Sequence, residues 1–165
     1  MIKPSSDHVL ARDVMVPTTK LITLRPNMDA LTAVRMLVRH RISGAPVIDE
    51  NHQYLGVFSE KTSMQFLIRL TYEKLPSSQV SSFMNADRER TISEDTDLLT
   101  IIDKFVMTPL RRLPVLSDDD QLLGQISRRD VLGTALRCLD PEPEDRSTGL
   151  YLSAILGRDD DDCPF

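Results

Sequence analysis

The most informative polar residues run from Ser127 to Asp130, where a predicted strand ends and a predicted helix begins. Free backbone N–H groups at the start of a helix, together with the helix dipole, favour the binding of a phosphate. Arg128 and Arg129 place two mobile positive charges beside those N–H groups. Asp130 can accept two hydrogen bonds from the vicinal hydroxyls of a ribose. These four residues therefore have the chemistry to hold a ribose phosphate.

The same tetrapeptide has a structural interpretation. In a capping box, a serine and an acidic residue three positions later satisfy the unpaired N–H groups of the first helical turn. Ser127 and Asp130 have this spacing. The two roles are compatible, and the sequence leaves both open.

Other kinds of chemistry are not supported by residue spacing. The histidines, His8, His40 and His52, have no cysteine or carboxylate partners at zinc-site intervals, so no metal site is predicted. The sequence contains no Gly-rich phosphate loop, no G-x-S-x-G elbow and no H-E-x-x-H. Cys138 and Cys163 lack a motif that would mark a nucleophile. No catalytic residue is predicted, and we expect a protein that is not an enzyme.

Charge and hydrophobicity narrow the classes of partner. The formal net charge is −5, but residues 140–165 contain eight acidic and two basic side chains, so residues 1–139 are nearly neutral. A nucleic-acid-binding protein would need a clear basic surplus. No apolar run approaches the roughly 20 residues that span a bilayer. With only two cysteines and no signal peptide in evidence, we expect a cytoplasmic protein that binds neither nucleic acid nor membrane.

An internal repeat explains the organisation of the chain. Residues 23–67 align without a gap on residues 91–135, an offset of 68 positions. Pro46-Val47 then meets Pro114-Val115, and Ser59 meets Ser127. Each copy has the pattern of a strand, a helix, two strands and a helix, which predicts an α/β (α+β) fold. Because such small units bury little apolar surface alone, we expect the two to pack as one body.

Hydrophobic periodicity places the elements of both copies. In the first copy it predicts strands at 21–24, 46–48 and 55–58, a helix from Asp29 and a helix from Ser59 to about Leu75. In the second it predicts strands at 91–92, 114–116 and 122–126 and helices at 98–107 and 128–139. The expected units are residues 8–75, residues 76–139 and an acidic extension, 140–165, in which 150–156 is predicted to be a docking helix.

Several segments resemble the CBS domain family, and they occur twice in the right order. Residues 10–15, LARDVM, look like the lead-in V-x-D-I-M, and residues 40–49, HRISGAPVID, look like the central segment. Residues 56–62, GVFSEKT, and 124–130, GQISRRD, are similar to the ending G-x-h-[ST]-x-x-D. The resemblance implies a Bateman module, in which two repeats pack about a pseudo-twofold axis with two clefts between them. It also implies binding of AMP, ADP, ATP or S-adenosylmethionine to regulate another protein, without catalysis.

The resemblance also suggests site residues. The adenine of a ligand held by Asp130 would lie against the first copy, near Val16, Ile22, Ile42, Ser43 and Gly44. Phosphate-facing residues would be His40 and Arg41, with Arg111 and Arg112 in the second copy. The alternatives are a tight turn at Ser43-Gly44 and ordinary surface cations at helix C-termini. Thr62 stands where the first copy should have an acid, so its site, with Ser59, is expected to be weaker or empty.

Three functions from different classes are compatible with the sequence. The favoured one is a nucleotide sensor that acts on a separate, unidentified protein, and the second is a dimerisation or scaffold module with no physiological ligand. The third, an enzyme or a nucleic-acid-binding protein, is the least favoured, because catalytic motifs are missing and residues 1–139 are nearly neutral. Residues 64–70 and 98–102 have apolar side chains on more than one helix face, which predicts a homodimer. Alternatively, the segment 150–156 covers one of these faces within the monomer.

Overall fold

The computed structural model describes residues 9–73 and 78–139. Within them lie five α-helices, six strands and three short 3₁₀ turns at Thr18–Lys20, Val80–Ser82 and Arg88–Arg90. The helices are α1 (Ala11–Val14), α2 (Ala30–Arg39), α3 (Glu60–Glu73), α4 (Leu98–Met107) and α5 (Arg128–Leu139). The strands are β1 (Val16–Pro17), β2 (Gly44–Ile48), β3 (Tyr54–Ser59), β4 (Ile92–Ser93), β5 (Arg112–Leu116) and β6 (Leu122–Ser127). The predicted docking helix at 150–156 lies outside the described residues.

The first long helix of each copy begins at an aspartate. Asp29 Oδ2 accepts a hydrogen bond from the Thr32 backbone N–H at 2.9 Å, and Asp97 Oδ1 accepts one from Thr100 at 3.0 Å. The Thr100 hydroxyl also donates to Asp97, and this bond, followed by the backbone bond, holds the pKa of Asp97 below its ordinary value. Both predicted helix starts are confirmed, because each carboxylate satisfies an N–H group of the first turn.

The sheets confirm the predicted mixed architecture, with one correction. β2 and β3 are antiparallel, as are β5 and β6, and β4 runs parallel to β5. The predicted strand at 21–24 is wrong in extent, because only Leu24 forms a bridge, to Val47. Leu24 N–H donates to Pro46 O at 2.9 Å and Leu24 O accepts from Ile48 at 3.0 Å, which is the whole of this pairing.

The lead-in segments exchange between the two copies. β1, which precedes the first copy, pairs with β6 of the second through Val16 and Gln125. Asn85, in the lead-in of the second copy, pairs with Val57 of the first. The cores show the same exchange, because Ala11 and Val14 pack in the core of the second copy and Val80 in that of the first. Each copy therefore completes its sheet and core with a segment from the other.

The tips of the two hairpins meet about a pseudo-twofold axis. Tyr54 N–H donates to Asp120 O at 3.0 Å, and Leu122 N–H donates to His52 O at 3.1 Å. These two bonds join residues that the offset of 68 makes equivalent. His52 and Asp120 have the same left-handed backbone, with φ of 62° and 61°. A small buried cluster, formed by Ile48, Tyr54, Leu116 and Leu122, packs across the axis. The two repeats thus form one body, as their size required.

Candidate functional site

The capping box at the start of α5 is formed. Asp130 Oδ2 accepts hydrogen bonds from Ser127 N–H at 2.7 Å and from Ser127 Oγ at 2.6 Å. In return, Asp130 N–H donates to Ser127 Oγ at 3.3 Å. Asp130 Oδ1 takes no hydrogen bond from the described residues. Because an ionised carboxylate offers about four acceptor positions, the cap leaves Asp130 able to bind a further donor.

The first copy forms the same cap with a hydroxyl. Thr62 Oγ1 accepts from Ser59 N–H at 2.8 Å and donates to Ser59 O at 3.0 Å, and Thr62 N–H donates to Ser59 Oγ at 3.3 Å. Thr62 is buried, with 7% of its surface exposed. Its hydroxyl is therefore engaged within the helix start, whereas Asp130 keeps one carboxylate oxygen without a partner in the part of the chain that the structure describes.

A cavity of about 460 Å³ lies at the start of α5 and is named here the Ser127 cavity. It is lined by Ser43, Arg111, Arg112, Ser127, Arg128 and Arg129. The Arg128 guanidinium donates to Leu110 O at 2.9 Å and to Thr108 O at 3.3 Å, so its position is constrained by the backbone. The side chains of Arg111, Arg112 and Arg129 make no ion pair or hydrogen bond with the described residues. The cavity is therefore a cationic surface beside the N-terminus of a twelve-residue helix.

A second cavity, of about 370 Å³, lies at the start of α3 and is named here the Ser59 cavity. Its lining comes from both repeats: Ser43, Gly44, Val57, Ser59, Glu60, Lys61, Arg90, Pro109, Leu110, Arg111, Arg112, Pro114 and Gln125. Three residues, Ser43, Arg111 and Arg112, line both cavities. The two spaces are thus neighbours that share one pair of arginines.

The predicted site residues are distributed unevenly between these cavities. Of the expected adenine side, Ser43 lines both cavities and Gly44 lines the Ser59 cavity. The apolar members of that set, Val16, Ile22 and Ile42, line neither, although Val16 pairs with Gln125, which borders the Ser59 cavity.

The expected phosphate side is also divided. Arg111 and Arg112 line both cavities, whereas His40 and Arg41 are exposed and line neither. Arg41 lies two residues after the last residue of α2, and its φ of 51° is the left-handed conformation that commonly follows a helix C-terminus. The phosphate-facing role of His40 and Arg41 stays a prediction.

The residues that line the Ser59 cavity without having been predicted as site residues include Lys61, Arg90 and Gln125. The offset of 68 contained a signal for one of them, because it places Arg90 opposite Ile22, a residue that had been considered. Lys61 directly precedes Thr62, where the acid of the repeat motif is missing, so the motif gave no reason to predict a binding role for it. Gln125 gave no signal, because its exposure to the cavity depends on how the repeats pack.

The described residues contain no group of three or more histidine, cysteine, aspartate or glutamate side chains arranged to hold a metal ion. None of the helices among residues 9–73 and 78–139 is long and apolar enough to cross a membrane.

Comparison with known families agrees with the repeat and with its geometry. The model of the CBS domain matches residues 11–62 and again residues 80–137, which together are more than half of the chain. The chain belongs to the CBS domain family. Each match begins in a lead-in segment, so a CBS repeat as a sequence unit includes a segment that completes the sheet of the other repeat.

Relatives with two CBS repeats cover most of the chain. CBSX2, a chloroplastic CBS domain-containing protein of Arabidopsis thaliana, is 29% identical over 154 residues, which is 76% of this chain and 63% of its own length. The chain therefore spans less than two thirds of that relative. An uncharacterized 17.7 kDa protein of Acidianus ambivalens is 24% identical over 70% of this chain and 68% of its own length. A crystal structure of CBSX2 in complex with AMP is 27% identical, with a TM-score of 0.68, over 78% of this chain and 96% of that chain.

Proposed function

We propose that this CBS pair is a regulatory sensor that binds an adenosine ligand (AMP, ADP, ATP or S-adenosylmethionine) and acts on a separate protein. The observation that carries the proposal is Asp130, which caps α5 with Oδ2 and keeps Oδ1 without a partner among the described residues, next to the cationic Ser127 cavity. The AMP complex of CBSX2, a relative with the same fold, supports an adenosine ligand.

The proposed ligand position follows from the chemistry of the two sides of the cleft. The ribose hydroxyls donate to Asp130, and the phosphate lies at the N-terminus of α5 beside Arg129, where the helix dipole favours an anion. The adenine then lies toward Ser43 and Gly44, where small residues allow a close approach to the backbone. Val16, Ile22 and Ile42 are the apolar residues proposed to flank the base, and His40 and Arg41 remain candidates for more distal phosphates.

A panel of ligands tests this proposal. Calorimetry and thermal unfolding of the full chain with AMP, ADP, ATP, S-adenosylmethionine and GTP should show binding of at least one adenosine ligand, with GTP binding far more weakly. At a ligand concentration a hundred times Kd, binding adds about 2.7 kcal/mol of apparent stability. If no adenosine ligand binds at millimolar concentration, the sensor proposal is wrong.

The second candidate function, a dimerisation or scaffold module without a physiological ligand, is favoured by one observation. The cap at Ser127 accounts for the position of Asp130 without any ligand. In that case Asp130 would matter only for stability, and the ligand panel would give no binding.

Both candidate functions include a homodimer formed by the helical faces. Equivalent apolar side chains are exposed on the two repeats: Val38, Met64 and Ile68 on the first, and Val106, Leu132 and Leu136 on the second. Each is at least 59% exposed, and exposed apolar surface of this extent is typical of association sites. Light scattering should give a dimer for the full chain, and Ile68→Glu with Leu136→Glu should give a folded monomer. If the chain ending at residue 140 is a dimer but the full chain is a monomer, the C-terminal segment covers the face instead.

The proposal also covers catalysis, cofactors, location and other partners. We propose that the chain has no catalytic activity of its own, needs no metal or cofactor, and works in the cytoplasm without a nucleic-acid or membrane partner. The low cysteine content and the nearly neutral charge of residues 1–139 support this.

A further inference from the structure

The Ser59 cavity is lined by four cationic side chains, the same number as the Ser127 cavity, and two of the four are shared between them. Lys61, Arg90, Arg111 and Arg112 line it, against a single acid, Glu60. The side chains of Lys61, Arg111 and Arg112 have no hydrogen bond or ion pair with the described residues. Positive charges that outnumber the acids around a concave space attract an anion.

Arg90 is the one cation here with a partner. Its Nε donates to Asp87 Oδ2 at 3.2 Å, and both side chains are more than 40% exposed. An exposed pair of this kind is weakly held, and Arg90 can still offer its terminal nitrogens to a ligand. The positive charges come from α3, from the turn before β4 and from the start of β5, so the group is assembled by the packing of both repeats.

The pseudo-twofold relation shows what this cavity is not suited to bind. The offset of 68 relates Arg90 to Ile22, Arg111 to Ser43 and Arg112 to Gly44. Arginines therefore stand at the positions equivalent to Ile22, Ser43 and Gly44, although Ser43 and Gly44 themselves also line this cavity. Thr62, which stands in place of Asp130, is buried and spends its hydroxyl on Ser59, so it offers no carboxylate to a ribose.

We propose that the Ser59 cavity is a binding site for an oligophosphate, in which Lys61, Arg90, Arg111 and Arg112 hold a chain of two or more phosphates and no nucleoside is recognised. The anion can be the phosphate tail of a nucleotide held at Asp130, because Arg111 and Arg112 line both cavities. It can also be an independent oligophosphate. The chemistry of the site is the same in both cases, and two of its cations, Lys61 and Arg90, line this cavity and not the Ser127 cavity.

Inorganic tripolyphosphate is a suitable probe, with orthophosphate as the single-phosphate comparison. In calorimetry on the full chain, tripolyphosphate should bind at one per chain and at least tenfold more tightly than orthophosphate, and raised salt should weaken it. Lys61→Ala and Arg90→Ala should each weaken it by about tenfold to a hundredfold, since a hydrogen bond to a charged group is lost. Glu60→Gln should tighten it, because it removes the opposing charge.

Arg129→Ala is the matched control, because Arg129 lines only the Ser127 cavity. It should change tripolyphosphate affinity less than threefold. Lys61, Glu60 and Arg129 are exposed, so unchanged melting temperatures are expected for their variants. Absence of tripolyphosphate binding at millimolar concentration overturns the proposal. So does an Arg129→Ala variant that loses as much affinity as Lys61→Ala.

Prior saturation with nucleotides decides the source of the anion. If ATP abolishes tripolyphosphate binding while AMP leaves it intact, the site receives the tail of a nucleotide held at Asp130. If neither nucleotide affects it, the oligophosphate is independent. Tripolyphosphate binding without any adenosine binding would uphold this inference while the sensor proposal fails, and AMP binding without tripolyphosphate binding would do the reverse.

Discussion

Replacing Asp130 with threonine should remove the ribose acceptor while keeping the cap of α5. The chain itself provides the precedent, because Thr62 occupies the equivalent position and caps α3. The bond to the serine N–H is 2.8 Å with the Thr62 hydroxyl and 2.7 Å with the Asp130 carboxylate. Threonine at position 130 can therefore accept the same bond from the Ser127 N–H. Its single hydroxyl oxygen is used in that bond, so no carboxylate oxygen remains to accept a ribose hydroxyl.

The two roles of Asp130, binding the ribose and capping α5, affect different quantities: the first changes AMP affinity and the second changes the free energy of unfolding. A hydrogen bond to a charged group contributes about 1.5–3 kcal/mol, so Asp130→Thr should weaken AMP by roughly ten- to a hundredfold. Its stability should stay within about 0.5 kcal/mol of the wild type. Asp130→Ala loses the cap as well, which costs about 0.5–2 kcal/mol, or about 2–4 °C of melting temperature per kcal/mol for a chain of this size.

Calorimetry with AMP and thermal unfolding on the same preparations measure both quantities. Thr62→Ala is the matched control, which should lower the melting temperature through its own lost cap and leave AMP affinity within about threefold of wild type. If Asp130→Thr binds AMP as tightly as the wild type, the carboxylate does not hold the ribose. If Asp130→Thr and Asp130→Ala are equally destabilised, the hydroxyl does not replace the carboxylate as a cap.

Three further predictions concern the scaffold. Gly124→Ala should lower the free energy of unfolding, measured in urea, by about 1–3 kcal/mol, because the new Cβ would lie 2.5 Å from Val16 O. The control is Gly133→Ala, whose Cβ would have Arg137 as its nearest neighbour, at 3.8 Å. It should raise the free energy of unfolding by about 0.5–1 kcal/mol. Burial raises the pKa of Tyr54 to about 12, above its unfolded value near 10, so stability is full below pH 10 and falls by about 2–3 kcal/mol as pH rises to 12. Tyr54→Phe should abolish that alkaline loss without destabilising the protein at pH 7, because the buried hydroxyl has no hydrogen-bond partner within residues 9–73 and 78–139. A loss that persists in the variant would contradict the assignment. Arg41→Gly should stabilise the chain by about 0.5–1 kcal/mol, since glycine adopts the left-handed φ of 51° without strain; a lower melting temperature would show that the Arg41 side chain itself contributes.

Local physics accounts for the part of the fold that was predictable. Helix starts at Asp29 and Asp97 depend on a side chain and an N–H three residues away. Short apolar runs bounded by turn residues predict the strands of each hairpin. The Ser127–Asp130 cap could be predicted for the same reason, because it joins two residues that are three positions apart. The strand expected at 21–24 was overestimated because its pairing is a single parallel bridge, which no local pattern encodes.

The sequence by itself determined the repeat, its offset of 68, the order of its elements and the acid at position 130 that distinguishes one copy from the other. The tertiary structure alone decided that the lead-ins exchange, so that Val16 pairs with the second copy and Asn85 with the first. It also decided that Arg90, Arg111 and Lys61 surround one cavity. The reason is physical: contacts between residues three or four apart are fixed by backbone geometry, whereas contacts between distant segments depend on how two nearly identical units bury their apolar faces against each other.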